Sequence, residues 1–207
     1  MLTDILARGL EQLAIGLDTT AQQKLLDYLA LLMRWNSSYN LTAVRDGDAM
    51  VVRHLLYSLA IAPFVTGERC IDVGTGAGLP GLPLAVARPG QHFTLLDSNG
   101  KKTRFLIQAV AALGLANVAV VRSRVEDYRP DARFDAVLSR AFASLGAMID
   151  GCHQLLCPDG QFLAMKGQIP EDELRDIETR AELLGVERLS VPGLAEERCL
   201  VRMRLRR

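Results

Sequence analysis

Cys70-Ile-Asp-Val-Gly-Thr-Gly-Ala-Gly-Leu-Pro-Gly81 is the stretch on which the fold turns. Arg69 to Val73 reads as a short apolar strand, and Gly74, Gly76 and Gly78 follow it directly, ahead of an apolar helical segment. Glycines at such a junction let the chain turn sharply and let a ligand approach the backbone without Cβ clashes, which implies a nucleoside cofactor. Residues 76–81 also spell GxGxxG, a string that alone is a weak sign of a dinucleotide. Two carboxylates tilt the choice. Asp72 lies inside the strand, where a pyrophosphate gains nothing from added negative charge and a cationic ligand tolerates it; the alternative is a carboxylate capping nearby backbone amides. Asp97 closes the next strand, 23 residues after Gly74, where it can accept both ribose hydroxyls or cap a helix opening at Ser98-Asn99-Gly100. S-adenosylmethionine, a sulfonium nucleoside without phosphate, suits both acids.

Downstream of Gly67, short apolar runs alternate with helical patterns, as βα units on a parallel sheet require. Strands are expected at Arg69 to Val73, His92 to Leu96, Val118 to Val121, Phe134 to Leu138 and Gln161 to Met165, with helices at Lys101 to Leu113 and Ala143 to Leu155. A helix from Glu171 to Leu184 precedes two more strands, Val186 to Val191 and Cys199 to Leu205. Their connection, PGLAEER, is too short for a crossover helix, so they should pair antiparallel. Upstream, Leu25, Leu26, Leu29, Leu32 and Met33 recur at helical spacing between Thr19 and Trp35, with Thr19 or Thr20 available as cap. A second helix should run from Asp48 to Ala62 and stop at Pro63, after an irregular SSYNLTAVRDG connection. The expected architecture is an α/β class I methyltransferase: a mostly parallel, Rossmann-like seven-stranded sheet with a terminal antiparallel hairpin over residues 66–207, and a helical N-terminal extension over 1–65.

Composition fits one folded domain. The chain has 207 residues, 49% of them hydrophobic and 23% charged, and no net charge. Attachment to nucleic acid by overall charge alone is therefore excluded, but the charge is segregated. Between Asn99 and Arg140 there are eight basic residues against four acidic ones, the segment from Arg198 adds five arginines, and 168–187 carries seven acids against two arginines. An anionic partner at one face suits this pattern; scattered solvated charge, with Arg204, Arg206 and Arg207 as a strand end, is the plainer reading. Cys70, Cys152, Cys157 and Cys199 show no metal-type spacing with the three histidines, so free thiols in a reducing compartment and no metal are expected. MLTDILARGL lacks a signal-type pattern, and the longest uncharged run is too short and polar to span a membrane. A cytoplasmic location is the resulting expectation.

The methylated atom can be narrowed by what is missing. After the fourth strand stands Ser139-Arg140-Ala141-Phe142, without the Pro-Pro-aromatic turn common among enzymes that methylate exocyclic amino groups. Cys157-Pro158 is placed by its context in a turn after a helix, a poor site for a covalent nucleophile. A ring nitrogen with a free lone pair, such as guanine N7, needs alignment and no base. Arg140 cannot serve as a general base, because guanidinium stays protonated. Other readings are a small-molecule methyltransferase, a nicotinamide-dependent oxidoreductase and a non-catalytic rRNA-binding assembly factor.

The blocks WNSSYNLTAVRD, DVGTGAGLPGLPLA, FTLLDSNGKKTRFL, SRVEDY, FDAVLSRAFASL and MKGQ, in this order, resemble those of the glucose-inhibited division protein B family over nearly the whole chain. The resemblance implies S-adenosylmethionine-dependent methylation of guanine N7 in the decoding-region loop of 16S rRNA, with the rRNA or small ribosomal subunit as partner and a monomeric enzyme. By the family pattern Gly74, Gly76, Gly78, Leu79, Asp97, Val125, Glu126 and Arg140 would hold the cofactor, Glu126 beside the adenine and Asp97 at the ribose. Asn40, His54, Lys101, Arg124, Lys166 and Arg198 would face the RNA, with no residue acting as acid or base. Tyr57, in HLLYSL, departs from the family's usual His-x-x-Asp-Ser.

Overall fold

The computed structural model describes residues 1–206; Arg207 lies outside them. Seven strands form one sheet: β1 (Arg69–Val73), β2 (His92–Asp97), β3 (Val118–Arg122), β4 (Phe134–Ser139), β5 (Leu156–Lys166), β6 (Ala181–Arg188) and β7 (Cys199–Leu205). Their order is β3-β2-β1-β4-β5-β7-β6, and β7 runs antiparallel to both of its neighbours. The expected terminal hairpin is present. The chain reverses its direction of travel across the sheet between β1 and β4, which opens a crevice beyond the carboxyl ends of the strands.

Helices cover both faces. The first three are α1 (Leu2–Gln12), α2 (Thr19–Tyr39) and α3 (47–59); α4 (Gly81–Ala87), α5 (Gly100–Leu113), α6 (Leu145–Cys152) and α7 (Glu171–Asp176) come after them. Leu6, Leu25, Leu29 and Leu55 of the first three helices share one apolar core with Leu82 of α4, Phe105 of α5, Leu95 of β2 and Leu200 of β7. Each fully buried leucine contributes about 1.5–3 kcal/mol, so these helices belong to the sheet's own core. On the opposite face α6 lays Leu145, Met148 and Ile149 against Ile71, Val137 and Phe162.

Several local expectations are corrected. The cap of α2 is Asp18, whose carboxylate accepts the Ala21 N–H at 2.7 Å, and neither Thr19 nor Thr20 fills that place. The α2 helix runs on to Tyr39 and ends at Asn40 in the left-handed region, φ 49°. Within α3 the turn over Val51–Leu56 widens to a π-helix, and the helix ends at Leu59, before a short turn that contains Pro63. On the far side of the sheet, α6 starts two residues later than the pattern suggests, because Ser144 caps it by accepting the Ala147 N–H. Cys157-Pro158 does not sit in a turn: both belong to the start of β5, at the irregular register between Phe134 and Ala136 of β4.

The largest error concerns residues 171–191. The helix stops at Asp176, and the segment expected to continue it is strand β6, Ala181–Arg188. Its backbone pairs with β7, and two cross-strand ion pairs, Glu187 with Arg202 and Glu182 with Arg204, each 2.8 Å, add to the ladder. Sheet pairing outweighs the helical preference of the charged sequence. It also takes two tail arginines out of the free charge, so the C-terminal segment is not an open basic strip.

Candidate functional site

A cavity of about 470 Å³ opens at the carboxyl ends of β1 to β4. Gly74 comes from β1, Asp97 and Ser98 from β2, Ser123 to Glu126 from β3, and Ala141 and Phe142 from β4; Lys102 reaches it from α5. Its size is that of a site for one small organic ligand.

The glycine turn is held from three sides. Gly74 has φ +69°, and a Cβ there would lie 2.8 Å from the Ala141 Cβ, so the β1 and β4 exits touch only because the residue is glycine. At Gly78, φ +96°, a Cβ would meet Leu106 of α5 at 2.8 Å. From above, Tyr28 of α2 donates its hydroxyl to the Ala77 carbonyl at 2.7 Å. From below, Asp72 accepts the Thr75 hydroxyl at 2.7 Å and the Gly81 N–H at 2.8 Å with one oxygen. Asp72 therefore does act as a carboxylate holding backbone, and burial raises its pKa to about 6 against the help of those hydrogen bonds and of Arg140. Its second oxygen is buried with no partner.

Asp97 is almost fully buried and is oriented by the protein before any ligand arrives. Oδ2 accepts the Gly76 N–H at 2.9 Å and Oδ1 the Asn99 N–H at 2.8 Å, while Lys102 Nζ lies 3.7 Å away. The cap of α5 is Asn99, which accepts from the N–H groups of Lys101 and Lys102. Each carboxylate oxygen has a second lone-pair direction, so Asp97 retains capacity for two further hydroxyl donors.

The predicted residues divide into three groups. Gly74, Asp97, Val125 and Glu126 line the cavity, and so does Arg124, which was expected on the RNA side. Gly76 contributes its N–H to Asp97, whereas Gly78 and Leu79 pack below the turn against the core. Arg140 lies beside the cavity wall: its guanidinium carbon is 4.7 Å from the centre of the Tyr57 ring, and its Nη1 is buried without a partner. Arg198 approaches the same ring at 5.4 Å.

The remaining polar candidates have structural partners. Asn40 accepts from Arg45 at 2.8 Å. His54, on the widened turn of α3, is buried next to the Thr42 hydroxyl at 2.9 Å, and burial lowers its pKa to about 4, so it is neutral. Lys166 is tied to Glu173 at 2.9 Å, which counts against the expected free RNA contact. Lys101 is exposed at the start of α5 and has no ion pair among the described residues. Sequence reasoning missed Tyr28, Ser98, Ser123 and the apolar wall formed by Phe142. For Phe142 the one available signal was its place just after β4.

The family model described as rRNA small subunit methyltransferase G matches residues 21–201. The chain belongs to this family. Among its relatives, Ribosomal RNA small subunit methyltransferase G of Alteromonas mediterranea is 51% identical over 95% of this chain and 93% of its own length. That of Hydrogenovibrio crunogenus is 54% identical over 88% of this chain and 85% of its own. The methyltransferase G fold extends further than the sequence. A SAM-dependent methyltransferase from Thiobacillus denitrificans, solved with S-adenosyl-L-homocysteine, superposes with a TM-score of 0.54 at 14% identity, covering 73% of this chain and 90% of that one. No helix among the described residues is long and apolar enough to cross a membrane.

Proposed function

We propose that this member of the methyltransferase G family moves a methyl group from S-adenosylmethionine to N7 of one guanine in 16S rRNA, acting as a monomer on the rRNA or the small ribosomal subunit. The observation that carries the reading is Asp97, buried at the end of β2 and fixed by the Gly76 and Asn99 N–H groups with acceptor capacity to spare. That is an acceptor set for a ribose and a poor one for a phosphate.

The rest of the site fits the same ligand. Bound there, S-adenosylmethionine would supply an electrophilic methyl group on a sulfonium. Val125 and Glu126 would border the adenine, and Asp97 would accept from the ribose hydroxyls. Arg140, whose Nη1 has no partner, and Asp72, whose Oδ1 has none, match the two opposite charges of an amino-acid end. Arg140 and Lys102 orient or balance charge; neither is asked to take a proton, because a ring nitrogen attacks with its own lone pair. Lys101, Lys102 and Arg124 at the cavity mouth would draw in the phosphate backbone, and the target base must be presented unstacked.

Incubation with methyl-labelled S-adenosylmethionine and unmodified 16S rRNA, naked or assembled in the subunit, with subsequent mapping of the labelled nucleotide, tests this. Label on N7 of a single guanine, with its N1 and N2 left unmethylated, supports it. Label at another atom, or none on either substrate, refutes it.

A further inference from the structure

Arg140 poses a physical problem. It is a buried cation directly after β4, and among the described residues no carboxylate forms an ion pair with it. Asp72 attracts it through space, but Arg198 repels it. A long side chain in that condition should wander or swing toward solvent. What it touches instead is the ring of Tyr57 on α3, 4.7 Å from guanidinium carbon to ring centre, and Arg198 at the start of β7 rests against the same ring at 5.4 Å. Tyr57 is itself fixed: it is 5% exposed, and its hydroxyl points to the Lys166 carbonyl at 3.5 Å.

The two ways of holding a guanidinium have opposite consequences. A carboxylate occupies its N–H edges and cancels its charge. An aromatic face attracts the cation while leaving the N–H edges and the charge available. The unpartnered Nη1 is the sign of the second arrangement.

We propose that Tyr57 is a positioning residue, whose ring holds Arg140 in place with its donors free for the carboxylate of the bound methyl donor. This rests on the reading that Arg140 serves the amino-acid end of that ligand. Arg198 is held at the rim by the same ring, so the segment before β7 and the exit of β4 meet on one side chain of α3.

Two ligands separate positioning from general support: S-adenosylhomocysteine, which carries the amino-acid end, and methylthioadenosine, which lacks it. Calorimetry on the full chain should show Tyr57→Met weakening S-adenosylhomocysteine on the order of tenfold, a cation–π contact's worth, with methylthioadenosine unchanged. Tyr57→Phe, which keeps the ring, should bind both as the parent does. In an Arg140→Ala background, Tyr57→Met should add nothing. Equal weakening of both ligands by Tyr57→Met makes the ring a packing residue and overturns the proposal. So does a loss in Tyr57→Phe as large as in Tyr57→Met, which assigns the effect to the hydroxyl. If Tyr57→Met does not fold, Tyr57→Leu is read in the same way, and Tyr57→Phe alone still decides between ring and hydroxyl. Should Arg140→Ala leave S-adenosylhomocysteine affinity intact, the assignment of Arg140 fails. Loss in Arg140→Ala with none in Tyr57→Met defeats only the proposal about Tyr57.

Discussion

Asp72→Asn should stabilise the protein in mild alkali relative to acid, although it alters the most buried carboxylate near the glycine turn. The folded protein holds Asp72 at a pKa of about 6, against an ordinary value of 3.8, mainly because burial penalises its charge. A raised carboxyl pKa favours the fold fully below the ordinary value and loses that contribution as pH rises through the folded one. At ~1.4 kcal/mol per pKa unit, keeping Asp72 ionised above pH 6 costs the fold about 3 kcal/mol. Asparagine keeps an oxygen for Thr75 and Gly81 and never ionises, so this cost disappears. It places an amide donor where Oδ1 has no partner, a pH-independent penalty of about 1–3 kcal/mol. The quantity to measure is therefore the difference between variant and parent, by urea denaturation at about pH 4 and about pH 8. That difference should move by up to about 3 kcal/mol in favour of the variant, or about 6–12 °C in melting temperature for a chain of this size. His54 slopes the other way. It is held at about 4, below its ordinary 6.5, and so withdraws stability as pH falls between those values. In the parent the two slopes oppose each other, and in Asp72→Asn acid lability from His54 should stand out. A variant-to-parent difference that is the same at both pH values refutes the ionisation argument.

Asp97→Ala should weaken S-adenosylmethionine at least tenfold by calorimetry and destabilise the fold by about 1–3 kcal/mol by freeing the Gly76 and Asn99 N–H groups; unchanged affinity would remove the ribose assignment. Tyr28→Phe leaves the Ala77 carbonyl unpaired, so the glycine turn should loosen, with faster amide exchange at Gly76 to Gly78 and weaker cofactor binding than the parent. Lys101→Glu should lower rRNA methylation and flatten its salt dependence by about one phosphate contact while cofactor affinity stays the same. Arg124 is unsuited to that comparison because it also lines the cavity. Gly74→Ala combines a φ of +69° with a 2.8 Å clash against Ala141. It should cost at least about 1–2 kcal/mol in thermal stability, and a neutral result would mean that β1 and β4 can move apart.

Most of the sheet was legible because its strands are short apolar runs ended by glycine or a carboxylate, and the strand–glycine–helix signal at 69–81 marks where the crevice lies. The segment 171–188 was not, since its charged composition favours helix locally and only the distant β7 supplies its ladder and the Glu182 and Glu187 partners. The site shows the same division. Asp97 and Glu126 stand at strand ends, where chain order predicts them. Tyr28, Tyr57 and Phe142 reach the site by tertiary packing from elements whose sequence carries only core-like periodicity. Lys166 shows the converse hazard: a basic residue in a recognised block whose charge Glu173 already answers.

The wide turn over Val51–Leu56 ties this geometry to chain length. An ordinary helix advances about 100° per residue, so one residue removed from that turn would restore regular winding and rotate the remainder of the helix by roughly that angle. His54 and Tyr57, which now look toward Thr42 and the paired arginines, would no longer face the same neighbourhood. Single-residue deletions inside 51–56 should therefore be tolerated far less well than substitutions there, and less well than deletions in the 40–46 connection just ahead.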